Sequence, residues 1–148
     1  MAGSAGIGPF TAVLFDLDGT LLDSFGSIAD LTDAALVEAG HPPCDRDILR
    51  RLIGLPLEVV FRQVWPFEPT DDDVTRAMAT YRATQLANAS PTFFPGAADL
   101  VTSLRAAGKQ LAIVTTKGTP AARRALADGA LIDSFGAVVG GDIVPHLK

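Results

Sequence analysis

The stretch AVLFDLDGTLLDS, Ala12 to Ser24, runs four apolar residues into two carboxylates, Asp16 and Asp18, with one leucine between them. An uninterrupted apolar run, here Thr11 to Phe15, suits a strand of a parallel sheet covered on both faces. Two like charges at its end repel, and each opposes ionisation of the other. A chain that keeps them there needs a cation or a reaction to satisfy them. The demand is met when the strand delivers its last residues to the rim of a sheet where ligands bind.

The rest of the chain is patterned to build such a rim. From Phe25 to about Ser90 the period becomes helical: Ile28, Leu31, Ala35, Leu36 and Ala39 follow near i, i+3, i+4 spacing until Gly40 and HPP stop the helix. RDILRRLIG reads as a second helix ended by Gly54, and PLEVVFRQVW as a third that opens at Pro56 and closes before Pro66. In EPTDDD, Thr70 is placed to cap a fourth helix, with Asp71, Asp72 and Asp73 facing the positive end of its dipole rather than a metal. Pro91 and Pro95 break that helix, and the next runs from Ala97 to Ala107 before Gly108.

KQLAIVTT then carries a buried strand, Leu111 to Val114, that ends in Thr115 and Thr116. TPAARRALADGAL is a helix with Pro120 in its first turn, and AVVGGD is a third strand followed by Gly140, Gly141 and Asp142. The order strand, helical insert, helix, strand, helix, strand predicts an α/β fold. Its core is a Rossmann-like parallel sheet with right-handed crossovers, interrupted once by an α-helical insert. The expected organisation is a flexible N-terminal tail over 1–9, an α/β core from 10–24 and 91–148, and the helical insert over 25–90.

Composition narrows the function. With 148 residues, 48% apolar and 20% charged, the chain can build a globular core. A net charge of −5, with arginines only in pairs such as Arg50–Arg51 and Arg123–Arg124, gives no basic field for nucleic acid. The single cysteine, Cys44, reads as a loop thiol; it permits no internal disulfide or zinc cluster and fits a reducing compartment. No basic, apolar leader opens the chain, and no apolar run approaches the ~18 residues of a membrane span. A soluble, cytoplasmic protein with no membrane partner is expected.

Polar groups gather at the carboxyl ends of the three strands: Asp16 and Asp18, then Thr115 and Thr116, then GGDIVPHLK with Lys148. Two carboxylates, a hydroxyl and an ammonium on one rim could hold a phosphate and a hard cation together. At this point the chain resembles the haloacid dehalogenase superfamily of phosphohydrolases along its whole length. DLDGTLLDS matches that family's first motif, LAIVTTK its second, and GGDIVPHLK the approach to its third, whose lysine would be Lys148. PGAADLVTSLRAAG is similar to the helix before the second motif, and the 25–90 insert sits where members with an α-helical cap keep it. Phosphoglycolate phosphatase-like members are the nearest in pattern.

The resemblance implies a Mg²⁺-dependent phosphomonoester hydrolase acting on a small phosphorylated metabolite. Asp16 would attack phosphorus and form an aspartyl phosphate; Asp18 would protonate the leaving alkoxide and later activate water. Mg²⁺ would be held by the Asp16 carboxylate and the Asp18 main-chain carbonyl. Gly19 would turn the chain sharply and leave N–H groups free for phosphate. Thr115 and Thr116 would contact phosphate or substrate, and Lys148 would neutralise both nucleophile and transferring group. Dehalogenases of the family lack the second aspartate, so Asp18 favours phosphate chemistry.

Plainer roles stand beside these. Thr115 alone would be a hydroxyl bonded to its own backbone, Lys117 a solvated loop charge, and Asp23 and Ser24 a helix cap or hinge. His41 and His146 read as structural, and Arg50 or Arg51 either presents a cation from the cap or is a surface charge. The family's fourth, acidic motif lies downstream of its lysine, and here Lys148 is the last residue. The expectation is a truncated form with an incomplete metal site, whose first strand becomes an exposed apolar edge that invites self-association. The alternative to a hydrolase is therefore a non-catalytic fragment with at most phosphate binding; a phosphosugar mutase is disfavoured. Weak or absent turnover is expected of the purified 148-residue chain, and robust Mg²⁺-dependent turnover would contradict it.

Overall fold

A computed structural model of the chain describes residues 10–144. The tail over 1–9, His146 and Lys148 lie outside the described residues. The elements are β1 (Ala12–Phe15), α1 (Phe25–Glu38), α2 (Arg46–Leu52), α3 (Leu57–Val64), α4 (Asp71–Ala87), α5 (Ala97–Ala106), β2 (Gln110–Val114), α6 (Thr119–Asp128), a 3-10 turn over Ile132–Ser134, and β3 (Ala137–Val139). The strands form one parallel sheet in the order β1-β2-β3, with Phe15 opposite Ile113 and Val114 opposite Val139. The expected α/β fold with an all-helical insert is the one observed.

The buried apolar side chains form two clusters. One belongs to the sheet and its helices and is centred on Leu17, Leu22, Val101, Ile113 and Leu126. The other belongs to α1–α4 and is centred on Leu36, Leu49, Phe61, Val74 and Tyr81. Full burial of each large aliphatic side chain contributes about 1.5–3 kcal/mol. Between the clusters the chain crosses twice, and its two passages pair: the Asp23 N–H donates to the Thr92 carbonyl and the Phe94 N–H to the Leu21 carbonyl, each at 2.9 Å.

β1 differs from the expectation of a strand covered on both faces. It is an edge strand of the described sheet, Val13 and Phe15 are half-buried, and Leu14 on the other face is 70% exposed. The central strand is β2, where Leu111 and Ile113 are buried. The exposed apolar edge expected of the first strand is thus present among the described residues.

Helix starts follow side-chain chemistry. Thr70 caps α4 in a reciprocal box: its hydroxyl accepts from the Asp73 N–H at 3.2 Å, and Asp73 accepts from the Thr70 N–H at 3.1 Å. The Thr70 hydroxyl and N–H, then Arg76, hold the Asp73 carboxyl below its ordinary range. Asp45 caps α2 by accepting from Asp47 and Ile48. Ser24 stands at the start of α1 yet makes no capping bond, and its buried hydroxyl finds no partner among the described residues. Cys44 does lie in a loop, but buried, with its N–H on Asp33; burial, then Asp33, pushes its thiol up to about 11. His41 packs edge-on to Trp65 and Phe67, a structural place.

Gly140 ends β3 against the start of α6. A Cβ there would overlap the Thr119 backbone nitrogen and stand 2.7 Å from the Lys117 carbonyl oxygen. Gly140→Ala is expected to cost about 1–3 kcal/mol in urea unfolding. Gly26→Ala, in a helix with open space around it, is expected to be neutral or to stabilise by up to about 1 kcal/mol.

Candidate active site

Asp16 and Asp18 follow β1 directly, and Thr115 to Gly118 follow β2. Because the strands are parallel neighbours, both loops emerge at the same rim. The contact that joins them is an ion pair. Lys117 Nζ donates to Asp18 Oδ1 at 3.0 Å and to Oδ2 at 3.1 Å, and the two side chains are 6% and 13% exposed. Lys117 is therefore not a solvated loop charge. The signal in the sequence was its position, three residues past a buried strand that runs beside a strand ending in carboxylates. Asp16 is half-buried at the end of β1.

Thr115 is buried, and its hydroxyl accepts the Lys117 N–H at 3.2 Å. That is the local turn expected of a strand-end threonine, and its own O–H remains a donor. The bond also shapes the loop that carries the Lys117 side chain to Asp18. The Thr116 hydroxyl reaches across to the cap and donates to the Gly54 carbonyl at 3.2 Å. Gly19 takes φ +76°, as the turn requires. Its N–H is not free for phosphate, however: it donates to the Leu22 carbonyl at 2.9 Å, closing a tight loop in which the Leu17 carbonyl accepts from Leu21 and Leu22. Lys148 lies outside the described residues.

Asp142 serves a different end. Its carboxylate caps α6, accepting from the Thr119 N–H at 2.6 Å and the Thr119 hydroxyl at 2.7 Å. Burial pushes this carboxyl up, but the two Thr119 bonds outweigh it and leave it below the ordinary range. The Gly141 N–H completes the corner on the Lys117 carbonyl at 3.1 Å.

A cleft of about 440 Å³ separates these loops from the helical insert. Asp18, Thr116 and Lys117 line one side, and Tyr81, Arg82 and Gln85 of α4 line part of the other. The Tyr81 ring is buried edge-on to Phe61; burial, then the Asp18 charge, pushes its phenol up, so it remains a protonated donor. The cation the cap presents to the cleft is Arg82. Arg50 instead stacks over the Phe25 ring at 3.9 Å, and neither Arg50 nor Arg51 borders the cleft.

Among the described residues, no group of three or more His, Cys, Asp or Glu side chains is placed to hold a metal. The Asp16 carboxylate and the Asp18 carbonyl are nevertheless hard oxygen donors. Mg²⁺ commonly takes one or two carboxylates and fills its shell with water and substrate phosphate. The donor chemistry of the rim fits that ion.

Comparison with known proteins agrees with this fold. The chain belongs to the haloacid dehalogenase-like hydrolase family, whose profile matches residues 13–148. Among similar proteins is the probable phosphatase IndB of Dickeya dadantii, 36% identical over 92% of this chain and 61% of that protein. The tyrosine-protein kinase PtkA of Mycobacterium tuberculosis is 34% identical over 94% of this chain and 47% of its own length. A phosphoglycolate phosphatase of Nitrosospira multiformis is 32% identical over 95% and 64%. The crystal structure of a predicted phosphoglycolate phosphatase from Haemophilus somnus superposes with a TM-score of 0.84 at 25% identity, covering 97% of this chain and 68% of that one. The chain thus spans about half to two thirds of the length of the curated relatives it matches.

Removing one partner of a largely desolvated ion pair leaves the other charge stranded. Lys117→Met is expected to cost about 2–3 kcal/mol in denaturant unfolding. Adding Asp18→Asn should recover part of that loss; strictly additive losses would show that the pair carries no coupling.

Proposed function

We propose that this chain carries the site of a phosphomonoester hydrolase built like the phosphoglycolate phosphatases it resembles, acting on a small phosphorylated metabolite in the cytoplasm. The observation that supports it most is the Asp18–Lys117 pair, which holds the loop after β1 and the loop after β2 at one rim beside Asp16. Asp16 is the nucleophile: one carboxylate oxygen attacks phosphorus, the P–O ester bond breaks, and an aspartyl phosphate forms. Asp18, once it has taken up a proton from solvent and loosened its pair with Lys117, gives that proton to the departing alkoxide. It then takes one from water, which attacks the aspartyl phosphate and frees inorganic phosphate and Asp16.

Lys117 orients Asp18 by holding both its oxygens. Thr115, and Lys148 by its place in the third motif, supply a donor and a positive charge to the phosphoryl oxygens. The Asp16 carboxylate and the Asp18 carbonyl would hold Mg²⁺, which when bound would supply charge neutralisation. The 25–90 segment is the cap, and the Thr116–Gly54 bond is a contact that a closing motion over the cleft would make or break. A second reading, phosphate binding without turnover, is favoured because no group of three or more His, Cys, Asp or Glu side chains among the described residues is placed to hold a metal.

The test is phosphate release from phosphoglycolate and an aryl phosphate, with and without Mg²⁺, beside Asp16→Asn. The expected result is slow Mg²⁺-dependent release that Asp16→Asn abolishes. Saturable phosphate binding with no release from parent or variant would favour the second reading.

A further inference from the structure

We infer that the group carried by the phosphate is an apolar chain or ring, and not a short acid bearing a second negative charge. The inference rests on the hydrolase reading above and adds the substrate class. A cleft of about 440 Å³ falls within the roughly 300–1,000 Å³ of pockets that enclose a drug-sized organic ligand. A phosphate ester of a two-carbon acid would leave most of that space to water.

The two walls of the cleft differ in chemistry. The rim of the sheet offers Asp18, Thr116 and Lys117, suited to the phosphate end. Opposite them, Leu52, Ile53, Leu55, Val60, Met78 and Leu86 converge from α2, the loop after it, α3 and α4. Leu55 and Leu86 are 41% and 49% exposed, so this apolar surface still faces water. Covering it with ligand carbon is favourable in proportion to the area removed from water.

The charges around the cleft do not favour a second anion. Lys117 is held by Asp18 at 3.0 Å. Glu58 lines the cleft and pairs with Arg62 at 3.1 Å. Arg82, the cation of the cap, lies in the field of the Asp142 carboxylate. A carboxylate carried into the aliphatic part would be desolvated, and the cation lining the cleft, Arg82, is exposed and shares its field with Asp142, so that burial is costly.

The test uses the full chain and two ligand series. Hydrolysis of ethyl, butyl and hexyl phosphate is compared with that of phosphoglycolate in the presence of Mg²⁺; the alkyl leaving groups have similar basicity, so the slope reads contacts. Calorimetric binding of ethyl-, butyl- and hexylphosphonate, which cannot be hydrolysed, reads the same contacts without turnover. The expected result is a rise of about three- to four-fold in kcat/KM and in affinity per added methylene, with hexyl phosphate preferred over phosphoglycolate. Leu55→Ser and Leu86→Ser should each make the slope shallower. A flat phosphonate series, no phosphonate binding, a preference for phosphoglycolate, or a full slope retained in both variants would overturn the inference. Phosphate release with flat slopes would leave the hydrolase reading standing and sink only the substrate class. A steep phosphonate slope with no release from any ester would do the reverse.

Discussion

Two carboxylates one residue apart at the end of a buried run are tolerable only if something positive meets them, and here Lys117 does. It approaches from 99 residues away in sequence and takes both oxygens of Asp18. Parallel pairing of β1 and β2 brings the loops after them to one rim, and the ion pair joins them there. The paired passages at Asp23–Thr92 and Leu21–Phe94 close the excursion, so the sheet is built as though the insert were a single long loop. Bringing the ends of so long a loop together costs little more than closing a short one, because closure entropy grows only slowly with length.

Much of this was legible in the residues. Apolar runs located β1 and β2, helical periods and Pro or Gly punctuation located six helices, and Thr70 with its aspartates marked a capped helix start. The strand-end position of Asp16, Asp18 and Thr115 followed from strand order alone. What could not be read was partnership across the chain. A lysine beside two threonines looks solvated until the neighbouring strand is known to end in a carboxylate, and Asp142 looks idle until Thr119 is seen above it. Gly19 illustrates the opposite error: its positive φ was readable, yet the same turn that requires glycine uses up its N–H on Leu22. Arg50, left open between a cation facing substrate and a surface charge, is turned by α2 onto Phe25, while Arg82 of α4 takes the edge of the cleft.

The cleft divides its tasks between the two apolar cores. The sheet side carries Asp18, Thr116 and Lys117, held by hydrogen bonds just past the strand ends. The helical side carries aliphatic residues from four segments, and such surfaces can change without disturbing the strand ends. A hydroxyl-to-carbonyl bond between Thr116 and Gly54 is the thread between them, and Tyr81, kept protonated by burial and by Asp18, faces the chemistry from the cap. Relatives with different names on one fold are what such a division allows.

The central claim is that Asp16 becomes covalently phosphorylated. Reduction with borohydride during turnover of a phosphomonoester, followed by peptide mass analysis, converts an aspartyl phosphate to homoserine and so reports its position. The account predicts homoserine at residue 16 and at no other aspartate, with none formed when substrate is omitted. Steady phosphate release with Asp16 unmodified, or homoserine at Asp18, would contradict it.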